Sequence, residues 1–182
     1  MSGAELLHRP QPPDGSDGSP PLALRNPMRS LIIFIATGAY SGFSPIAPGT
    51  AGSLVGVLVV WVAFGPLWSR SPPLALVVFV AAFAIASWIA GRAEVIFKEP
   101  DSSKIVIDEV LGMAATMYGN PLTVAWMLAG FVLFRIFDVM KPFPAGWIDR
   151  RVEGGAGVML DDLASAIYAN ILLQVARRVL VR

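Results

Sequence analysis

The sequence predicts an all-α membrane protein, a helical bundle of about four spanning helices with a short N-terminal interfacial or re-entrant helix. Hydrophobic residues make up 55% of the 182 positions and charged residues 15%, and the mean hydropathy is +0.63. Both values lie outside the habit of a soluble globule. The apolar residues also fall into long runs punctuated by Pro, Gly and charge, and the ionisable residues gather at the ends of those runs, where they cost less than at the bilayer centre.

Residues 1–27 contain HRPQPPDGSDGSPPL and read as a disordered, cytoplasmic-type tail with little apolar content to fold around. Residues 28–182 then form one membrane-embedded domain. The first apolar stretch, 28–42 (MRSLIIFIATGAYSG), follows a basic flank as a signal peptide would, but a long polar tail precedes it. It is short of the roughly 20 residues a full crossing needs, which favours an interfacial or re-entrant helix. Residues 51–68 and 73–91 are stronger spans joined by the Ser71-Pro72-Pro73 turn, with Trp61, Trp68 and Trp88 as interfacial anchors. Residues 105–119 and 121–140 form a second apolar pair, carrying Asp108 and Glu109 near its start and Arg135 and Asp138 near its end. A last helix, about 158–180, opens with Asp161 and Asp162 and closes with Arg177 and Arg178.

Composition excludes several function classes. With 14 Lys+Arg against 13 Asp+Glu there is no net polyanion-binding surface, so nucleic acid is not an expected partner. The absence of Cys removes thiol chemistry, and the one histidine, His8, sits in the polar tail. Chemistry must therefore come from carboxylates, hydroxyls, Lys, Arg or a metal.

The densest candidate is FRIFDVMKPFPAGWIDR, 134–150. Arg135, Asp138 and Lys141 are spaced by three and share one helix face before Pro142 ends the helix. They make either a snorkelling, salt-bridged helix end or a site in which Asp138 binds a metal while Arg135 and Lys141 hold a phosphate. Asp108–Glu109 and Asp161–Asp162 are adjacent pairs, and about 100° of helical rotation should let one member of each aim at a given point. Acids in a first helical turn also suit the helix dipole, but a surplus of oxygen ligands from three segments suits Mg²⁺ and not zinc. Pro48-Gly49-Thr50 precedes an apolar helix with Thr50 as its expected N-cap, and the amides there suit a phosphate; it lacks the ending of a Walker loop. Gly154, Gly155 and Gly157 read as a flexible turn, and Glu94 and Lys98 as a structural i, i+4 pair.

A joint site requires residues 43–50, 98–109 and 135–162 on one face of the membrane. Four crossings allow this if the first short helix does not cross, and the positive-inside tendency of Arg9, Arg25, Arg29, Arg92, Lys98, Lys104, Arg135, Lys141, Arg150 and Arg151 makes that face cytoplasmic. Arg177, Arg178 and Arg182 fall on the opposite side.

Four blocks, FSPIAPGTAGSL (43–54), DSSKIVIDEVLGM (101–113), FRIFDVMKPFPAGWIDR (134–150) and GGAGVMLDD (154–162), resemble in order and spacing the phosphatidylglycerophosphatase A family of bacterial inner-membrane lipid phosphatases. After Asp162 this chain has Ser165 where the family often has a glycine. The resemblance implies a multi-pass enzyme of the bacterial inner membrane, its site facing the cytoplasm. It implies Mg²⁺-dependent removal of the terminal phosphate from phosphatidylglycerophosphate. It carries over Thr50, Asp101, Asp108, Glu109, Arg135, Asp138, Lys141, Asp149, Arg150, Asp161 and Asp162. The expected division has Asp108, Asp138, Asp161 and Asp162 as metal ligands and Thr50, Arg135, Lys141 and Arg150 as phosphate ligands. Glu109, Asp149 and Lys141 are the catalytic candidates, one of the two acids serving as base for an attacking water. An aspartyl-phosphate route is the mechanistic rival. A CDP-alcohol phosphatidyltransferase is a second enzyme reading, whose spaced D-x2-D-G-x2-A-R pattern is absent, and an ion-coupled transporter is the alternative outside enzymes.

Overall fold

The computed structural model describes residues 27–180, and every regular element among them is a helix. Residues 1–26, which hold His8 and nearly all of the expected tail, and residues 181–182 lie outside the described residues.

Helix α1 (Pro27–Ala36) has 10 residues and rises only ~15 Å, half a hydrocarbon core. It is therefore shorter than the apolar stretch that predicted it. Gly38, Ala39 and Tyr40 all adopt positive φ, which ends the helix, and a 3₁₀ turn (Ser41–Phe43) follows. Ile32 and Ala36 pack with Ile89, Ala90 and Ala93 of the later helix Pro72–Phe97, so α1 lies against one end of the bundle.

Helices α2 (Pro48–Val59) and α3 (Gly65–Arg70) are joined through a π-helical turn, Val60–Phe64, into one rod of 23 residues. Pro66 accounts for the wide turn. It has no N–H to donate and its ring would clash with the carbonyl four residues back, so the ladder opens locally and Gly65 N–H bonds the Val60 carbonyl five residues before it.

The rod, α4 (Pro72–Phe97) and α8 (Gly154–Leu180) are the three described helices long and apolar enough to cross a membrane. Helix α6 (Val124–Met140) has 17 residues, just below that length. Helix α5 (Ile107–Met117) has 11 residues, seven of them buried. At ~16 Å it is short for a lipid-facing crossing, but enclosed by the other helices it carries the chain from the end that holds Asp108 and Glu109 to the end where Tyr118 meets Pro72, so the expected 105–119 crossing is made by an inner helix. A short helix the sequence did not announce, α7 (Ala145–Arg151), follows Pro142.

Packing follows bilayer logic. On α4 the buried positions are mostly small (Ala75, Ala86, Ala90, Ala93) while Leu74, Val77, Val80, Ile85 and Trp88 are exposed, the reverse of a soluble helix. Lipid tails are as apolar as Leu, so burying large side chains gains little, whereas small residues let backbones approach. Gly155 shows how closely: a Cβ there would strike the Ser87 carbonyl and the Gly91 backbone of α4. Gly155 thus serves helix contact and not the turn the sequence suggested, whereas Gly154, at positive φ, and Gly157, whose Cβ would strike the Val152 carbonyl, keep the turn into α8 tight.

Helix α8, ~40 Å long, packs against α4, α5, α6 and α7. The N-terminal ends of α2, α5 and α8 meet the C-terminal ends of α4 and α6 at one end of the bundle. At the other end Arg177 donates to the Gly119 carbonyl at 2.8 Å and Tyr118 to that of Pro72 at 3.1 Å.

Candidate active site

Every segment expected to share a face converges at that first end. Carboxylate oxygens of Asp108 and Glu109 from α5 and Asp162 from α8 all lie within 4.8 Å of one another, and Asp138 of α6 neighbours Asp162. Asp108 and Glu109 are adjacent and were expected to diverge, but both reach the centre. The first turn of α5 points into the site, and the extra methylene of Glu109 brings its carboxylate round the helix. The Asp161–Asp162 pair does diverge: Asp162 faces the acids, while Asp161 faces Lys141.

Two cations punctuate the acids. Arg135 Nη1 lies 2.6 Å from Asp138 Oδ2 and 3.9 Å from Glu109 Oε1. Lys141 Nζ lies 2.6 Å from Asp161 Oδ2 and also donates to Asp149. Lys141 occupies a left-handed backbone position (φ 42), which turns its side chain back across the start of α8. Burial acts to strip its proton, but the hydrogen bonds to Asp149 and Asp161 outweigh that, and the ammonium is held above its ordinary range. Lys141 is a fixed cation.

The remaining oxygens favour a further positive charge. Asp108 Oδ1, Glu109 Oε2 and Asp162 Oδ2 are buried without a hydrogen-bond partner. An unsatisfied buried oxygen costs several kcal/mol when ionised, and three so close repel one another as well. A donor set of oxygens alone, in a centre where six carboxylates face two cations, fits a hard divalent cation such as Mg²⁺.

Other expected residues fall around this centre. Thr50 is not an N-cap: α2 begins at Pro48, and Ala47, in a left-handed conformation, holds the cap position without a side-chain bond. Thr50 sits in the first turn, beside Gly49. Gly49 itself was noted only as part of a helix start, yet a Cβ there would collide with Glu109 and come within 3.1 Å of Arg135 Nη1. Arg150 is exposed on α7 and forms no ion pair among the described residues, its Nη1 lying 3.5 Å from where a Gly146 Cβ would sit. Asp101 lies away from the trio, at φ 48, with its N–H bound to Glu94 Oε1 at 2.8 Å. Glu94 is thus turned to that loop and not to Lys98. Two braces went unread in the sequence. Tyr168 donates to the Phe143 carbonyl at 2.6 Å, and the buried Ser165, at the position where a glycine was expected, donates to that of Phe137 at 3.3 Å.

A cavity of about 670 Å³ adjoins the centre, sharing Asp149 and Asp161 with it but not Asp108, Glu109 or Asp162.

Fold and site together define a helical membrane protein with a carboxylate–cation centre at one end of its bundle. A family model described as phosphatidylglycerophosphatase A matches residues 34–177, and the chain belongs to that family. Among its relatives, the phosphatidylglycerophosphatase A of Escherichia coli is 37% identical over 153 residues, covering 83% of this chain and 84% of that protein. That of Haemophilus influenzae is 34% identical over 153 residues, 84% and 90% respectively. A Bacteroides thetaiotaomicron protein provisionally named phosphatidylinositol-3-phosphatase is 38% identical over 158 residues, 82% and 96%. No solved structure matches the chain.

Proposed function

We propose that this chain hydrolyses the terminal phosphate monoester of phosphatidylglycerophosphate, leaving phosphatidylglycerol, with Mg²⁺ held by Asp108, Glu109 and Asp162. The observation that carries this reading is the meeting of those three carboxylates, with partnerless buried oxygens, beside Arg135 and Lys141. Family membership and the names of two relatives support the substrate.

A phosphate monoester carries nearly two negative charges at neutral pH and resists nucleophiles until they are neutralised. Bound Mg²⁺ would supply Lewis-acid neutralisation and orientation. Arg135 offers a planar fork and Lys141 a fixed point charge to the phosphoryl oxygens. Two acids could take the proton of an attacking water, Glu109 within the trio and Asp149 at the rim. Asp149, about one-third exposed, is in reach of bulk water, and we assign it the proton. Charges placed at a bundle end suit headgroup chemistry better than transport, which places them near the midplane.

For localisation we infer the bacterial inner membrane, with the site end facing the cytoplasm. Arg92, Lys98, Lys104, Arg135, Lys141, Arg150 and Arg151 lie at that end and Arg70, Arg177 and Arg178 at the other, the bias the positive-inside tendency describes.

Purified full-length protein in detergent should release phosphate from phosphatidylglycerophosphate with Mg²⁺ and stop on chelation. Asp162→Asn should lower the rate on the order of 100-fold or more, the effect of losing about 3 kcal/mol of transition-state stabilisation, with helicity by circular dichroism unchanged. A folded Asp162→Asn protein at full rate contradicts the site. Phosphatidylinositol 3-phosphate, run alongside, tests the substrate suggested by the Bacteroides relative's name.

A further inference from the structure

The cavity beside the centre shares Asp149 and Asp161 with it, but its remaining walls have no part in the chemistry above. Its volume, about 670 Å³, lies in the range of small-molecule sites, and its walls come from the end of α4, the loop after it, the end of α7 and the start of α8. Its accessible walls are largely apolar, and its charged groups are chiefly acids: Glu94, Glu99, Asp101, Asp149, Glu153 and Asp161 line it, with Lys98 the one cation among the lining residues. Like charge excludes a phosphate from such walls. A shared metal ion fits poorly too. Among the described residues, the one carboxylate set close enough to hold an ion is Asp108, Glu109 and Asp162, and none of these lines the cavity. The chemistry left for the cavity is an uncharged hydrogen-bond donor. Asp161 supplies an independent sign of one: it is 5% exposed, its Oδ2 is bound to Lys141, and its buried Oδ1 has no partner.

We propose that this cavity receives the hydroxyl-bearing segment of the lipid headgroup, the polyol that carries the scissile phosphate. Asp161 Oδ1 is its first acceptor, with Asp101 and Glu153 next in reach. The proposal deepens the phosphatase reading and rests on it. Lys141 joins the two regions, since its partners Asp149 and Asp161 form both the edge of the phosphate centre and the wall of the cavity. A phosphate seated at Lys141 therefore has its ester substituent directed to carboxylates that accept hydroxyl protons. A site built to bond a hydroxyl discriminates strongly against the analogue that lacks it.

The test compares glycerol 3-phosphate with n-propyl phosphate, which has the same chain without hydroxyls, and with inorganic phosphate. Binding to purified full-length protein with Mg²⁺ is measured by calorimetry, and phosphate release from phosphatidylglycerophosphate is assayed separately. Glycerol 3-phosphate should bind on the order of 10-fold more tightly than propyl phosphate, the value of one hydrogen bond to a charged acceptor. Asp101→Asn combined with Glu153→Gln should narrow that gap and leave inorganic phosphate binding unchanged. Both side chains are exposed, and Asn accepts the left-handed backbone at 101, so the fold is kept. Equal binding of the two esters by the unaltered protein, or an unchanged gap in the variant, overturns the proposal. A preserved gap in a protein that releases no phosphate from the lipid overturns the phosphatase reading and leaves the cavity assignment standing.

Discussion

At the scale of single residues, Lys141 is where structure and chemistry are hardest to separate. It neutralises Asp161, whose side chain is only 7% exposed, so removing it leaves a buried charge without a partner. Lys141→Met should lower stability by about 3 kcal/mol, read as a fall in the thermal midpoint in detergent. Lys141→Met with Asp161→Leu should recover the midpoint but not phosphate release. Recovery of both would show the pair to be structural only. The sequence made Arg135, Asp138 and Lys141 legible because charge at the end of an apolar run is costly and the i, i+3 spacing fixes a common face. It did not reveal that Glu109 joins Asp108, since helical rotation alone sets adjacent residues apart and side-chain reach reverses this. Nor did it reveal Gly49, whose role is to leave room for side chains 60 and 86 positions away.

At the scale of elements, α8 does most to hold the site in shape. Its first turns carry Asp161 and Asp162, and its far half braces α5: Asn170 Nδ2 donates to the carbonyls of Thr116 and Tyr118, each at 2.8 Å, covering groups that a helix end leaves unpaired. The contact with α4 fixes the height of α8. Gly155→Ala should therefore be severe, because the added Cβ meets backbone and the helices must part, moving Asp162 with them. Loss of folded yield and of several kcal/mol is expected, the range of overpacking at its upper end. Gly119→Ala is the contrast: nothing lies within 4 Å and only its φ of +73° is opposed, at a cost of about 1 kcal/mol. Similar thermal midpoints for the two variants would refute the packing account. Gly155 reads with Gly154 and Gly157 as part of a turn because composition does not distinguish a turn glycine from one pressed against a neighbouring helix.

At the scale of the whole molecule, orientation in the bilayer ties the fold to its substrate. The chain has no Cys, so single cysteines report topology on a clean background. Ser103→Cys at the site end should react with a membrane-impermeant maleimide only from the cytoplasmic side, and Ser69→Cys at the other end only from outside. The opposite pattern would reverse the inferred orientation. The span expectation also belongs at this scale. Residues 105–119 read as a crossing because a helix enclosed by other helices is as apolar as one facing lipid, and sequence alone does not say which it faces. Seven buried positions out of 11 show that it faces its neighbours and crosses inside the bundle.

By itself the sequence determined the class of fold, the end of the bundle where charge gathers and the family, because hydropathy, helix breakers and the spacing of ionisable residues are local properties. The tertiary structure decided which carboxylates share a centre, which cation each acid meets and which glycines are contacts. Those depend on how closely the helices approach and at what height, and these are set by small residues packing across segments far apart in the chain.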